Sequence, residues 1–455
     1  MALTSINPAT GEVVQRFTEH TAAQALAAVG AAHEAFGKWS RSATARRCAL
    51  MRKAAGVLRE RKSNLARMMS EEMGKPVLQA IAEVEKCALA CEYYADNGEA
   101  MLEPEPVEAE GAASYVRFDP LGVVLGIMPW NFPFWQVFRF AAPALVAGNA
   151  CLLKHASNVP RCAATIGQVF QRAGLPPHVF TVLRLGPDGI GPLIAHPQVR
   201  AVSLTGSDRA GREVAALAGR HLKKVVLELG GSDPFIVLDD APLARCVAAA
   251  VSSRMINNGQ SCIAAKRFVV VKDIYGRFQK AFTAAVGQLK TGNPLDESND
   301  LGPLARADLV DELERQIKES VRLGARVLVG GRRRKKGPGF YFPPTVLEKV
   351  KPGMPAYDEE LFGPVAALIA AADGDDAVRI ANDTPFGLGA SIWSANRRRA
   401  EKLAARIEAG SVFVNGMVKS DPRLPFGGVK MSGFGRELSS YGIKEFVNIK
   451  TVVIA

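Results

Sequence analysis

The rhythm of apolar and polar positions changes near residue 120. Before it, apolar residues recur at helical spacing. After a short opening strand, Leu26, Val29, His33 and Phe36 fall on one helical stripe. The "TAAQ" of Thr21 to Gln24 has the form of a capping box at its start. Because His33 lies on that stripe, a packed role is expected for it rather than chemistry. Further helices are predicted through "ARRCALMRKAAGVLRERKSNLARMMSEEMGK", ending before Pro76.

Beyond 120, short apolar runs alternate with amphipathic stretches such as "VPRCAATIGQVFQRAGL". The runs are "VVLGIM" (123–128), "ACLLKH" (150–155), "VFTVLRL" (179–185), "AVSLTG" (201–206) and "VVLELGG" (225–231). Apolar strands separated by helical patterns predict a parallel sheet covered on both faces. A second alternating region starts near 234 with "PFIVL", continues in "RFVVVK" and reaches "SVFVNG", predicting another α/β domain. Between the helical part and the first alternating region lies the polar, turn-rich "EPEPVEAEGAASYVRFDP" (103–120), read as an outward hairpin. The closing "EFVNIKTVVIA" is an alternating apolar strand. Left unpaired it would be a liability, so pairing with another subunit is expected.

Composition narrows the classes. The 455 residues suffice for about three domains. With 48% hydrophobic and 22% charged residues, the chain is an ordinary globular one. No apolar run approaches the ~20 residues of a membrane span, and the N-terminus lacks the basic-then-apolar pattern of a secretory signal. Seven cysteines, an odd number, imply reduced thiols and a cytoplasmic setting. Cys87 and Cys91 share a helical face, and core packing is a better reading than a metal pair; no metal site is expected. The net charge is +12, partly from "RRRKK" at 332–336, read as a solvated loop. Basic stretches interleaved with aromatics are absent, so no nucleic-acid partner is expected. A positive field would also draw in anionic substrates and phosphate-bearing cofactors.

In folds of this kind ligands bind beyond the carboxyl ends of the strands, and the informative residues do follow the runs. In "PWNFPFW", Asn131 is either part of an aromatic turn or an amide donor placed where an oxyanion could form. Lys154 in "KHAS" could meet a phosphate or ribose, or be a surface lysine. "TGSDRAG" places Gly206, Ser207 and Gly211 at a helix start, either as a phosphate-facing N-terminus or as an ordinary N-cap. In "LELGGSDP", Glu228 occupies an otherwise apolar strand, where burial would raise its pKa toward that of a general base, unless a basic residue pairs with it. In "NNGQSC", Cys262 follows a helix carrying Leu243, Val247, Val251 and Met255 on one face, with Gly259 as its expected end. It is either an inert buried thiol or a nucleophile.

"INPATGEVV", "PWNFP", "LELGG", "GQSC", "EELFGPV" (359–365), "NDTPFGL" (382–388) and "PFGGVKMSGFGRE" (425–437), in that order over nearly the whole chain, resemble the aldehyde dehydrogenase superfamily. "MPWNFPFWQVFR", "LLKHA" and "KKVVLELGGSDPFIVL" resemble the shorter bacterial succinate semialdehyde dehydrogenases. The resemblance implies an α/β fold with a Rossmann-like cofactor-binding domain (1–102 and 121–228), a second α/β catalytic domain (229–436) and a small β oligomerisation element (103–120 and 437–455), in a homodimer or homotetramer.

It also implies a mechanism. The Cys262 thiolate attacks the aldehyde, and the oxyanion is held by the Asn131 amide and the Cys262 backbone N–H. Hydride passes to a nicotinamide, and Glu228 activates the water that releases the acid. Trp130 and Ser207 would lie along the pyrophosphate, Lys154 at the adenosine ribose or its 2′-phosphate, Glu360 at the nicotinamide ribose and Phe362 by the ring. Ser157 stands where many NAD-preferring relatives carry glutamate, which would repel a 2′-phosphate. NADP is therefore expected to be accepted, with preference between NADP and NAD left open. His155 replaces a proline common in that motif. For the substrate, the resemblance assigns Arg139 to a distal carboxylate, with a structural salt bridge as the alternative, and Ser420 and Trp135 to the same pocket. A second arginine of some relatives is Ile256 here. The competing expectation is a broad aliphatic or aromatic aldehyde dehydrogenase.

Overall fold

The computed structural model describes residues 2–333 and 337–455. Each apolar run becomes a strand within three residues of its expected limits. Val123–Met128, Ala150–His155, Phe180–Leu183, Val199–Thr205 and Lys224–Glu228 form a parallel sheet, extended at one edge by the antiparallel strand Gly433–Phe434. The register sets the site. Met128 pairs with His155, Ile127 with both Lys154 and Leu204, and Thr205 with Glu228. The turns after four strands therefore open at one edge, where ligands gather in such sheets.

The second sheet has seven strands, in the order Arg326–Val329, Thr345–Glu348, Val365–Ala371, Arg267–Val271, Pro234–Val237, Gly389–Trp393 and Ser411–Val414; only the first is antiparallel. The segment 426–437, grouped from the sequence with this domain, crosses back so that Gly433 pairs with Glu228.

The C-terminal strand finds a partner within the chain on one side and stays at the edge of its sheet on the other. Val447–Ile454 pairs along its whole length with Ala113–Pro120 of the same chain, from Val447 opposite Pro120 to Ile454 opposite Ala113. The hairpin segment and the C-terminus thus make one three-stranded sheet, and the strand's partner is intramolecular. Alternation predicts a strand but cannot say which partner it finds.

The first helix, Ala22–Trp39, has the capping box formed between Thr21 and Gln24. Its buried face is Ala25, Val29, Ala32 and Trp39, one position round from the expected stripe, and Leu26 is 37% exposed. The small alanines let the helix sit close on the sheet, a packing requirement that outweighs side-chain hydropathy. "ARRCALMRKAAGVLRERKSNLARMMSEEMGK" divides into Thr44–Glu60 and Lys62–Met73, stopped by the left-handed Gly74. Val77–Met101 then packs against the wholly buried helix Trp135–Val146.

Candidate active site

The helix before the cysteine ends at Met255, earlier than Gly259. Asn257 and Asn258 adopt left-handed conformations (φ 53° and 59°), which asparagine tolerates better than other non-glycine residues. Each asparagine is anchored. Asn257 Nδ2 donates to Asn131 O (2.6 Å) and Gln260 O (2.9 Å); Asn258 Nδ2 donates to Gly74 O and Pro303 O. Gly259 (φ 75°) allows contact with the 361–364 segment, for a Cβ there would lie 2.3 Å from Gly363 C. Arg254 donates to Gly259 O (2.5 Å) and Ala265 O (3.0 Å), while Lys266 donates to Ser261 O (2.8 Å) and Cys262 O (2.5 Å). The backbone carrying the thiol is thus fixed from both sides.

Cys262 is half-buried on the wall of a cavity of about 270 Å³ that it shares with Asn131, Trp130, Ser207, Glu360 and Phe362. Burial pushes its thiol up to about 12; the charges of Lys266 and Arg139 pull the other way, and Glu360 and Asp233 add to the rise. Asn131 is buried, and its Nδ2 donates to Gln260 O at 3.1 Å, so the amide faces the cysteine turn. Trp130 and Phe362 meet edge to face at 5.7 Å. Glu360 accepts from Gly231 N (3.1 Å) and lies 3.4 Å from Lys266 Nζ.

Glu228 is 2% exposed. Burial raises its carboxyl well above the usual range, Glu437 adding to the rise and Arg139 and Arg436 opposing it. Neither oxygen has a hydrogen-bond partner among the described residues. The carboxyl lies beside Gly427, where a Cβ would come within 2.8 Å of its Oε1. Leu229 and Gly230, the next two residues, line the cavity; the Glu228 side chain does not.

Other expectations divide. Arg139 takes the salt-bridge alternative within the chain. It is buried, ion-paired with Glu437, hydrogen-bonded to Thr205 Oγ1 (3.3 Å) and seated 4.7 Å over the Phe426 ring. A buried guanidinium needs an anion, and the chain supplies one. Gly211 is buried in the helix Asp208–Arg220, away from the residues that line the cavity, and a Cβ there would lie 2.5 Å from Leu229 Cδ1, so it serves close packing of helix on strand. Ser207 is the N-cap of that helix, accepting from Ala210 N (3.3 Å), and with Gly206 it also lines the cavity. Lys154 is buried at its strand end, with Glu19 nearby supporting its charge against desolvation. Ser157 lines a separate cavity with Glu19, Gly186 and Pro187.

His155 has a structural account. Its Nδ1 accepts from Ala156 N (2.9 Å), which leaves Nε2 to donate to Pro133 O (2.9 Å). Burial lowers its pKa to about 4, so it is a neutral pin between the strand Ala150–His155 and the Asn131 turn. Trp135 lines a third cavity, and Ser420 accepts a hydrogen bond from Lys86 (2.6 Å). The basic block 332–336 lies partly outside the described residues; its Arg333 pairs with Asp311 and Glu314.

Sequence reasoning passed over Lys266, Arg306 and Asn257. Arg306 lies over the Trp130 ring at 5.4 Å. "Asn-Asn-Gly" is itself a turn signal, but Lys266 and Arg306 reach the site only through tertiary contact.

A cavity-lining thiol, an amide aimed at its turn and a glycine-flanked helix N-terminus gather at one sheet edge. The aldehyde dehydrogenase family model matches residues 1–452, and the chain belongs to that family. It is 50% identical, over the full length of both chains, to a Synechocystis sp. protein named probable succinate-semialdehyde dehydrogenase, NADP(+). It is 49% identical to an Escherichia coli succinate semialdehyde dehydrogenase, NAD(P)+, across 98% of this chain and 97% of the relative. The crystal structure of Streptococcus pyogenes succinic semialdehyde dehydrogenase in complex with NADP+ superposes with a TM-score of 0.97 at 37% identity, covering both chains fully.

Proposed function

We propose that this protein oxidises succinate semialdehyde to succinate, with NADP accepted as the hydride acceptor. The carrying observation is that the Cys262 thiol and the Asn131 amide line one cavity with Glu360, Phe362 and the Ser207 helix N-terminus. The cavity suits a dinucleotide. Gly230 brings backbone against Glu360, where a Cβ would lie 2.5 Å from its Oε2, and the helix N-terminus offers N–H groups to a pyrophosphate. Trp130, Ser207, Glu360 and Phe362 would hold the nicotinamide half, and Lys154 and Ser157 the adenosine half. When bound, the nicotinamide supplies the hydride acceptor.

The residues of the chain do the rest. With its pKa near 12, Cys262 is a neutral thiol at neutral pH, so its proton must be taken before the sulfur attacks. The thiol proton passes to solvent water, and Glu228, its affinity for protons raised by burial, is the base of the hydrolytic half of the reaction. It has no hydrogen bond to break in turning toward the sulfur. Asn131 Nδ2 and the Cys262 N–H stabilise the oxyanion. Glu228 then takes a proton from the water that cleaves the thioester.

The three-stranded sheet is the proposed oligomerisation element. Its edge strand exposes Ile449 (61%), Val453 (55%) and Ile454 (50%). Light scattering that returns a monomer would remove this part of the reading. A cytoplasmic location belongs to the same proposal; no helix among the described residues is long and apolar enough to cross a membrane. The functional test is kcat/KM for succinate semialdehyde against butanal, each with NADP and NAD. Preference for the aldehyde acid with NADP is expected; equal values for both aldehydes would refute the substrate assignment.

A further inference from the structure

The reacting centre is assembled from two turns that lie far apart in the chain. Asn131 follows the strand Val123–Met128, and Cys262 follows the helix Leu243–Met255. The turns meet directly where Asn131 Nδ2 donates to Gln260 O (3.1 Å) and Asn257 Nδ2 donates to Asn131 O (2.6 Å). Both are also held by a third stretch, residues 74–83, to which neither belongs.

On the thiol side, Gly74 O accepts from Asn258 Nδ2 (2.8 Å), and Gln79 Oε1 accepts from Asn257 N (2.7 Å). On the amide side, Glu83 Oε1 accepts from Phe134 N and Trp135 N at 2.9 Å each, where its charge also meets the positive end of the helix Trp135–Val146. Lys75 forms an ion pair with Glu83 and rests 3.9 Å over the Phe132 ring, next to Asn131. Both members of the pair are buried. A buried ion pair returns little net stability after desolvation, so folding alone does not account for its place beside the amide turn. Gln79 and Glu83 lie four residues apart on the helix Val77–Met101, about 6 Å along its axis and on one face. One rigid helix face therefore grips the thiol turn with one side chain and the amide turn with the next.

We infer that Glu83, with Lys75 and Gln79, is a positioning residue of the reaction, fixing the Asn131 amide at the distance from the Cys262 turn that the oxyanion requires. This rests on the covalent oxidation proposed above. Glu83 acts through Asn131 and not on the reacting atoms. Placement at this level matters, since a shift of about 1 Å can cost about 10²-fold in rate.

The test is a double-mutant cycle between Glu83→Gln and Asn131→Ala, read as kcat and KM with NADP and with succinate semialdehyde or butanal. Gln79 and Glu83 also line a cavity of about 430 Å³ beside the turn, so kcat is read apart from KM and on both aldehydes. A glutamine has one carbonyl oxygen, which can serve Lys75 or the two N–H groups but not both. Glu83→Gln therefore lowers kcat about tenfold on both aldehydes, a part of the loss of the donor itself, with each KM within about threefold. Added to Asn131→Ala it lowers kcat less than about twofold further, because the amide it places is gone. Gln79→Ala leaves the buried pair intact; it lowers kcat about threefold alone and adds as little to Asn131→Ala, and it decides the matter where Glu83→Gln does not fold. Losses that multiply with that of Asn131→Ala, an unchanged kcat, or a loss confined to KM overturn the inference and leave the oxidation reading standing. A wild-type protein that forms no NADPH, or Asn131→Ala with wild-type kcat, overturns the reading and the inference together.

Discussion

The two cavities flanking the Asn131–Trp135 turn are built by different rules. On the cofactor side the wall is mostly strand ends, glycines and a helix N-terminus from short motifs, with Arg306 and Leu309 arriving separately. Gly206–Ser207, Leu229–Gly230 and Glu360–Phe362 each contribute adjacent or nearly adjacent residues. On the opposite side the wall is helix faces, from Val77–Met101 and Leu243–Met255, together with the loop near Met417. Backbone geometry needs local sequence, whereas a helix face gathers residues three and four apart. The first wall is therefore written in short words and the second in scattered letters.

The largest expected effect separates the turn itself from both cavities. Asn131→Ala should lower kcat by about 10²–10³, the cost of removing one oxyanion donor, with KM for either ligand changing much less. Steady-state NADPH formation measures it, and a loss confined to KM would make Asn131 a binding residue instead. Next in size is the adenosine end. Ser157→Glu should shift the NADP-to-NAD ratio of kcat/KM toward NAD by about tenfold or more, on the order of one charge repulsion. An unchanged ratio would mean that Ser157 does not face the 2′-position. The smallest effect tests the packing role of Gly211. Gly211→Ala should cost about 1–3 kcal/mol through overlap with Leu229, lowering Tm by a few degrees while KM for NADP moves little. A large rise in that KM at unchanged Tm would place Gly211 at the cofactor site.

These contrasts show where sequence reasoning reaches. Strand positions were legible because fully buried parallel strands are continuous apolar runs. Cys262 and Asn131 drew notice where they follow predicted elements, Glu360 and Phe362 only through the family resemblance, and the fold brings all four to one cavity. For Arg139 both a clamp and a structural salt bridge were open because an arginine in an apolar helix announces a partner without naming it; Glu437, which pairs with it in the folded core, lies almost 300 positions away in the chain. The helix stripe at residues 22–39 was displaced because packing chose the small alanines over Leu26. Lys86 went unremarked, since nothing in its neighbourhood in the chain tells that its ammonium lies over Trp135.

The central claim is that Cys262 carries the substrate and Glu228 releases it. Incubating Glu228→Gln with succinate semialdehyde and NADP, followed by peptide mass spectrometry, tests both at once. The account predicts a succinyl thioester accumulating on Cys262 with one burst of NADPH and slow turnover thereafter. Rapid steady turnover by that variant, or an acyl group on any other residue, would contradict it.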